Sequence, residues 1–247
     1  MPPDRRIQQP SLVRLAAEAI RDMVLSGDLR PGDRLVEERV TSELGISRPP
    51  LREALRVLEQ EGLLVSLPRR GVIVTTLSPR DVYEIFTLRT TYEKMAIELG
   101  VPVRDPQLLG RVRLALGQME DAAKSQDGAH FVRSSFEFHL SIVGLAGHRR
   151  LEDAYRGLSL QLRLYMAANT RARAEHNESL EANIERHRRL LATVEKGDPE
   201  AVLAELADHG ARTFLEEVTN QAQGPEAQQQ GDDRRATLSD IRDHISR

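Results

Sequence analysis

The sequence predicts a mainly α chain: an N-terminal winged helix-turn-helix with a small β-wing, followed by an all-α antiparallel helical bundle. Three observations carry this expectation. Residues 35–60 hold two helical patterns broken at Leu44-Gly45-Ile46. Residues 63–75 hold two short apolar runs on either side of Pro68, Arg69 and Arg70. From Ser78 onward apolar residues recur at helical spacing, with short Gly and Pro breaks and no strand-like alternation.

Taken in order, residues 1–10 (MPPDRRIQQP) are expected to form a flexible polar arm. Ser11 is placed to cap a first helix whose apolar residues are Leu12, Leu15, Ala16, Ala19, Ile20 and Met23. Residues 29–33 read as a turn. In the second helix Val40 and Leu44 lead to Gly45, which suits a left-handed helix end, and Ile46 follows. Ser47 then offers a hydroxyl as cap to the third helix. Pro49 and Pro50 fall in its first turn, where a missing N–H does no harm. Leu51, Leu55 and Leu58 make its apolar stripe. Arg48, Arg52 and Arg56 recur four apart on another face. An arginine can fork onto guanine O6 and N7 or clamp a phosphate, so this helix suits the major groove of DNA. Strands are expected over 63–67 and 71–75, with basic residues at their turn. The bland alternative is a helical hairpin with a solvated arginine face beside glutamates such as Glu53.

The run ISRPPLREALRVLEQEGLL followed by PRRGVIV resembles the winged-helix domain of the GntR family of bacterial transcription regulators. The resemblance covers residues 12–76. It implies operator-DNA contacts from Ser47, Arg48, Pro49, Arg52, Arg70 and Gly71. Some relatives place a contacting arginine where this chain has Glu38, with Arg39 beside it.

Bulk properties narrow the function classes. No apolar run is long enough to span a bilayer, and the first residues lack the apolar core of a secretion signal. Cysteine is absent, which excludes disulfides and thiolate zinc sites. These features suit a soluble cytoplasmic protein. A net charge of −3 means that DNA affinity must come from locally placed arginine. Aromatics are only 4%, which argues against a base-stacking platform for single strands.

Domains are expected at 11–76 and 79–220, with a disordered polar tail over 221–247. Ser78-Pro79 opens the second domain. Helices are expected near 79–99, 106–124, 128–146, 148–173, 177–196 and 199–220, packed as a bundle. Within it three histidines occupy positions where apolar residues are expected. His139 shares a face with Val132, Ser135, Phe136 and Val143. His187 lies on the stripe of Ile184, Leu191 and Val194. His209 lies on that of Val202 and Leu206. Burying an imidazole without a partner costs about 1–3 kcal/mol, so three call for a shared explanation. A divalent metal is the simplest, and three separately satisfied core histidines are the alternative. Arg89 is the other oddity, on the stripe of Val82, Ile85 and Phe86. It either pairs internally with Glu93, one turn on, or grips the carboxylate of a small molecule. Arg163, Tyr165 and Asn169 fall on a helix that could present either side.

The stretches FEFHLSIVGLAGHRRL and HRRLLATVEKGDPEAVLAELADHGART are similar to the FCD-type effector domain of the FadR subfamily of GntR regulators. That similarity spans about residues 79–218. It implies a metal held by His139, His187 and His209 plus one aspartate, a turn before the first histidine. This chain has Ser135 there. Zinc or nickel would suit the imidazoles, and Arg89 with Ser135 would face a small carboxylate effector. The function so implied is a ligand-responsive regulator, a repressor that binds a palindromic operator as a homodimer. A metal-dependent hydrolase built on the three histidines is the rival from another class. It lacks an acidic general base on the histidine-bearing faces. A purely architectural DNA-binding protein would have no use for a buried polar cluster.

Overall fold

The structure is a computed structural model that describes residues 11–175 and 178–209. The arm 1–10 and the tail 221–247 fall outside the described residues. The chain divides into two compact units, at residues 76 and 77.

In the first unit α1 (Leu12–Ser26), α2 (Glu37–Leu44) and α3 (Arg48–Gln60) precede a hairpin of β1 (Leu64–Leu67) and β2 (Gly71–Val74). The strands are antiparallel, with Leu64 opposite Val74 and Leu67 opposite Gly71. Ser11 caps α1 by accepting from the Arg14 N–H. Gly45 takes φ +63° at the end of α2, as the tight turn requires. The outer edge of β2 is also paired, since Arg34 bridges to Ile73 and Leu35 N–H donates to Val72. This third edge segment was not read from the sequence.

Of the apolar residues on α1, Leu12 and Leu15 are 58% and 47% exposed. Ala16, Ala17, Ile20 and Val24 are buried. α1 packs on α3. Ser47 occupies the position before α3, but its hydroxyl makes no capping bond.

The second unit is helical throughout its described residues: α4 (Pro79–Gly100), α5 (Pro106–Lys124), α6 (Gly128–Gly144), α7 (Arg149–Gly157), α8 (Ser159–Glu175), α9 (Leu180–Lys196) and α10 (Pro199–Asp208). Side-chain caps set most of the starts. Ser78 and Asp81 form a reciprocal capping box on α4, and Asp105, Asp127, Ser179 and Asp198 cap α5, α6, α9 and α10. The single helix expected over 148–173 is two helices, because the chain breaks after Gly157 at Leu158. The last helix is described to Asp208, so its expected extension to 220 lies outside the described residues.

α6 is buried on nearly every side and packs against α4, α5, α7 and α8. It is the axis around which the unit is built. Gly100 marks a close approach, since a Cβ there would collide with the backbone carbonyl of Leu145. Phe131, Phe138, Ile142, Met119 and Ile97 fill the core beside it. No helix among the described residues is long and apolar enough to cross a membrane.

Candidate functional site

On the first unit, Ser47, Arg48, Pro49 and Arg52 are exposed at the start of α3, and Arg70 and Gly71 are exposed at the hairpin tip. Buried Leu51, Ala54, Leu55 and Leu58 hold the opposite face of α3 in the core. Arg52 donates to the Glu37 carboxylate at 3.2 Å, and Arg56 to Glu53 at 2.7 Å. Exposed pairs of this kind are worth only about 0–1 kcal/mol, so Arg52 can exchange its partner cheaply. The Arg34 guanidinium lies against Gly71, where an added Cβ would stand 3.5 Å from its Nε. Arg34 therefore adds a basic group to the wing that the sequence reading did not name. Glu38 and Arg39 are both exposed on α2.

In the second unit the three histidines meet. His139 on α6, His187 on α9 and His209 at the end of α10 are all buried. One ring nitrogen from each lies within 4.8 Å of the others. His209 Nε2 is 3.3 Å from His139 Nε2 and 3.3 Å from His187 Nε2. Four-coordinate zinc with bonds of about 2.0–2.1 Å separates its ligand nitrogens by roughly 3.3 Å. The outer ring nitrogens are oriented as metal ligands require. His187 Nδ1 faces the Asn183 carbonyl at 2.8 Å, so its N–H donates outward and the Nε2 lone pair turns in. His139 Nδ1 faces Glu93 Oε1 at 3.2 Å.

Burial, above all, lowers the pKa of each histidine, helped at His139 by Arg89, at His187 by His139 and at His209 by His187. They are neutral donors at neutral pH. His209 Nδ1 is buried without a hydrogen-bond partner among the described residues. Three neutral imidazoles with converging nitrogens fit a divalent metal well. Glu137 is exposed and takes no part.

Glu93 organises the other side of the cluster. Its Oε1 accepts from Arg89 Nε at 2.9 Å and from the Tyr155 hydroxyl at 2.8 Å, besides facing His139. Burial pushes its pKa up, but Arg89 and then His139 outweigh that and hold it at about 2. Burial likewise opposes the charge on Arg89, and the Glu93 pair overcomes it and raises the Arg89 pKa. Arg89 Nη2 stands 2.8 and 2.9 Å from the two ring nitrogens of His139. The near-equal distances place it over the ring rather than along either lone pair. The internal ion pair read from the sequence is present, and Glu93 also reaches His139 and Tyr155, 62 residues away from it.

These residues border a small recess with a cavity volume of about 20 Å³. Arg89, Ser135, His139, His187 and His209 line it, as expected. So do Met166, Asn169, Thr170, Arg173, Asn183 and Arg186. Tyr165 is buried, while Arg163 packs over the Phe136 ring at 5.6 Å. Arg173, Asn183 and Arg186 were not singled out from the sequence. Each is a polar residue on a helix whose turns mix charged and apolar residues, so spacing alone gave no signal.

Residues 12–74 match the family model of bacterial regulatory proteins, gntR family, and residues 84–212 match that of the FCD domain. The chain is 28% identical over 191 residues to the uncharacterized HTH-type transcriptional regulator YdhC of Bacillus subtilis, covering 77% of this chain and 84% of that one. It is 27% identical over 195 residues to the gluconate operon transcriptional repressor of Bacillus licheniformis, covering 78% and 79%. Among solved structures, a transcriptional regulator GntR from Rhodococcus sp. RHA1 superposes with a TM-score of 0.65 at 25% identity, covering 87% of this chain and 99% of that one. These relatives are regulators, so the hydrolase alternative finds no support. The chain belongs to the GntR family of DNA-binding transcription regulators and carries that family's winged helix-turn-helix followed by an FCD domain.

Proposed function

We propose that the protein is a cytoplasmic repressor that binds a palindromic operator as a homodimer and responds to a small organic acid held at a divalent metal. The observation that carries the sensor half is the convergence of His139, His187 and His209 through their Nε2 atoms. Zinc or nickel suits three neutral imidazoles. A bound ion of this kind supplies a concentrated positive charge with coordination positions left for water or a carboxylate. Ser135 stands where the FCD resemblance calls for an aspartate. Its hydroxyl leaves the site one negative charge poorer, which strengthens the pull on an anionic effector. Arg89 extends its Nη2 toward the same cluster while Glu93 holds its Nε. It is placed to meet the acid's carboxylate.

For DNA, the exposed group at the start of α3 (Ser47, Arg48, Pro49 and Arg52) enters the major groove, and Arg70 with Gly71 at the wing contacts the backbone or minor groove. A homodimer would match one recognition helix to each half of a two-fold operator. Two relatives are named as repressors of the gluconate and, with the qualifier probable, the D-xylose utilization operons. The acid must favour one arrangement of the paired winged units, or it cannot change operator affinity.

The test is metal analysis of purified protein after exposure to zinc or nickel and dialysis. One ion per chain in the wild type, lost in His187→Ala with the dimer still folded, is expected. Wild-type protein that retains no ion under these conditions overturns the metal reading.

A further inference from the structure

The wing of the first unit carries more positive charge than Arg70 alone supplies. No acidic residue occurs between Glu61 and Asp81, so the hairpin itself holds no carboxylate. Pro68, Arg69 and Arg70 make the turn that closes on the Leu67–Gly71 pair, and Arg70 N–H donates to the Leu67 carbonyl at 3.1 Å. The segment before α2 runs along the outer edge of β2, where Val74 N–H donates to the Asp33 carbonyl and Leu35 N–H to that of Val72. This pairing sets Arg34 opposite Ile73. Gly71 then lies on the diagonal, a separation that a long side chain can span. The Arg34 guanidinium reaches the tip, with its Nε, Nη2 and Cζ at 3.5, 3.8 and 4.0 Å from the point a Gly71 Cβ would occupy. Asp33, the acid next to it in sequence, is engaged elsewhere, accepting from the Arg30 backbone N–H at 2.8 Å.

The fold leaves two features of these arginines unexplained. The first is their pairing. Arg14, Arg21, Arg39, Arg52 and Arg56 each lie against a carboxylate of their own unit. Arg34, Arg69 and Arg70 are exposed and have no carboxylate partner among the described residues. Like charges gathered without a counter-charge repel one another, and an external anion is what answers them. The second is the backbone. Arg69 sits at φ +65°, in the left-handed region. The Cβ of an L residue makes that conformation costly, and glycine or asparagine fills such a turn position with less strain. A long basic side chain held there against its backbone preference points to a use for the side chain.

We infer that Arg34 and Arg69 are DNA-contacting residues that, with Arg70, clamp the phosphodiester backbone at the wing independently of base sequence. The inference rests on the wing contact proposed above for Arg70 and Gly71 and deepens it. Arg34 comes from ahead of α2 and Arg69 from the hairpin turn, so the clamp draws on two separate segments of the chain. Contacts of this kind add affinity that falls with salt, and they position the protein without reading bases.

Anisotropy titration of the whole chain against a short mixed-sequence DNA duplex, over a range of salt concentrations, tests this. Each phosphate contact contributes about 0.9 to the slope of log K against log salt. Arg34→Gln and Arg69→Gln should each reduce the magnitude of the wild-type slope by about one. Lys124→Gln on α5 removes the same charge from the second unit and should leave the slope unchanged. Arg34→Lys should keep the wild-type slope, since a phosphate also accepts a point charge. Arg69→Gly removes the cation and relieves the left-handed backbone together, so its urea midpoint should hold or rise while its slope falls. A merely structural arginine would not show that opposition. Urea unfolding confirms the fold of every variant. A wild-type slope in either glutamine variant, or an equal reduction in Lys124→Gln, overturns the inference and leaves DNA binding standing. Wild-type protein that fails to bind the duplex even at low salt removes the DNA-binding reading along with it.

Discussion

In the N-terminal unit Arg48, Arg52 and Arg70 stand exposed over an apolar core, whereas in the C-terminal unit Arg89, Arg173 and Arg186 line a recess beside three buried histidines. The same side chain therefore carries different obligations. An exposed guanidinium keeps its water and its weak surface partners, so it can be moved to DNA without disturbing the fold. A buried one must be paired within the protein, and each pair becomes part of the core. Binding and stability are separable in the first unit and entangled in the second. That contrast makes the second unit suited to sensing, since a ligand that alters buried pairs also alters packing.

The largest expected effect follows from this entanglement. Glu93→Gln removes the carboxylate that holds Arg89, Tyr155 and His139, and leaves a buried cation unpaired. It should destabilise the C-terminal unit by about 3–5 kcal/mol in urea unfolding. A change below about 1 kcal/mol would mean that the buried network is no more demanding than a surface pair.

Next in size is the metal. Zinc at one hundred times its dissociation constant should stabilise the wild type by about 2.7 kcal/mol. In His187→Ala the same zinc should give no shift. A similar shift in both proteins would place the ion away from the histidines.

The N-terminal unit should show the reverse pattern. Arg52→Ala should weaken operator binding by about 1–3 kcal/mol if it reads a base, while moving the unfolding free energy by less than about 0.5 kcal/mol. Anisotropy titrations with operator DNA, beside urea unfolding, separate the two. An unchanged affinity removes Arg52 from the contacts, and a large loss of stability would blur the contrast between the units.

The smallest effects come from two serines that precede helices. Ser78 completes a capping box on α4, so Ser78→Ala should cost about 1 kcal/mol. Ser47 makes no capping bond on α3, so Ser47→Ala should cost less than about 0.5 kcal/mol of stability. A full capping cost at Ser47 would show that its hydroxyl serves the helix rather than DNA.

What the sequence made legible follows the range of the interactions. The turn at Gly45, the prolines opening α3 and the hairpin around Arg69 depend on neighbours a few residues apart, and local chemistry reveals them. The convergence of the histidines was legible for a related reason: each helix displayed its periodic face, and three such faces need a common interior. Glu93 was read only as the partner of Arg89, because its reach to Tyr155 and His139 spans distant parts of the chain. Arg173 and Arg186 were missed because Glu178, the group that joins them, precedes a separate helix.

The most direct test is operator affinity under effector load. The wild type and His187→Ala would each be exposed to zinc and titrated, with and without saturating succinate, against the DNA upstream of the protein's own gene. The account predicts that succinate shifts wild-type affinity at least roughly fivefold, within the usual range of allosteric coupling, and leaves His187→Ala unmoved. An operator affinity indifferent to succinate in the wild type, or shifted equally in both proteins, would contradict it.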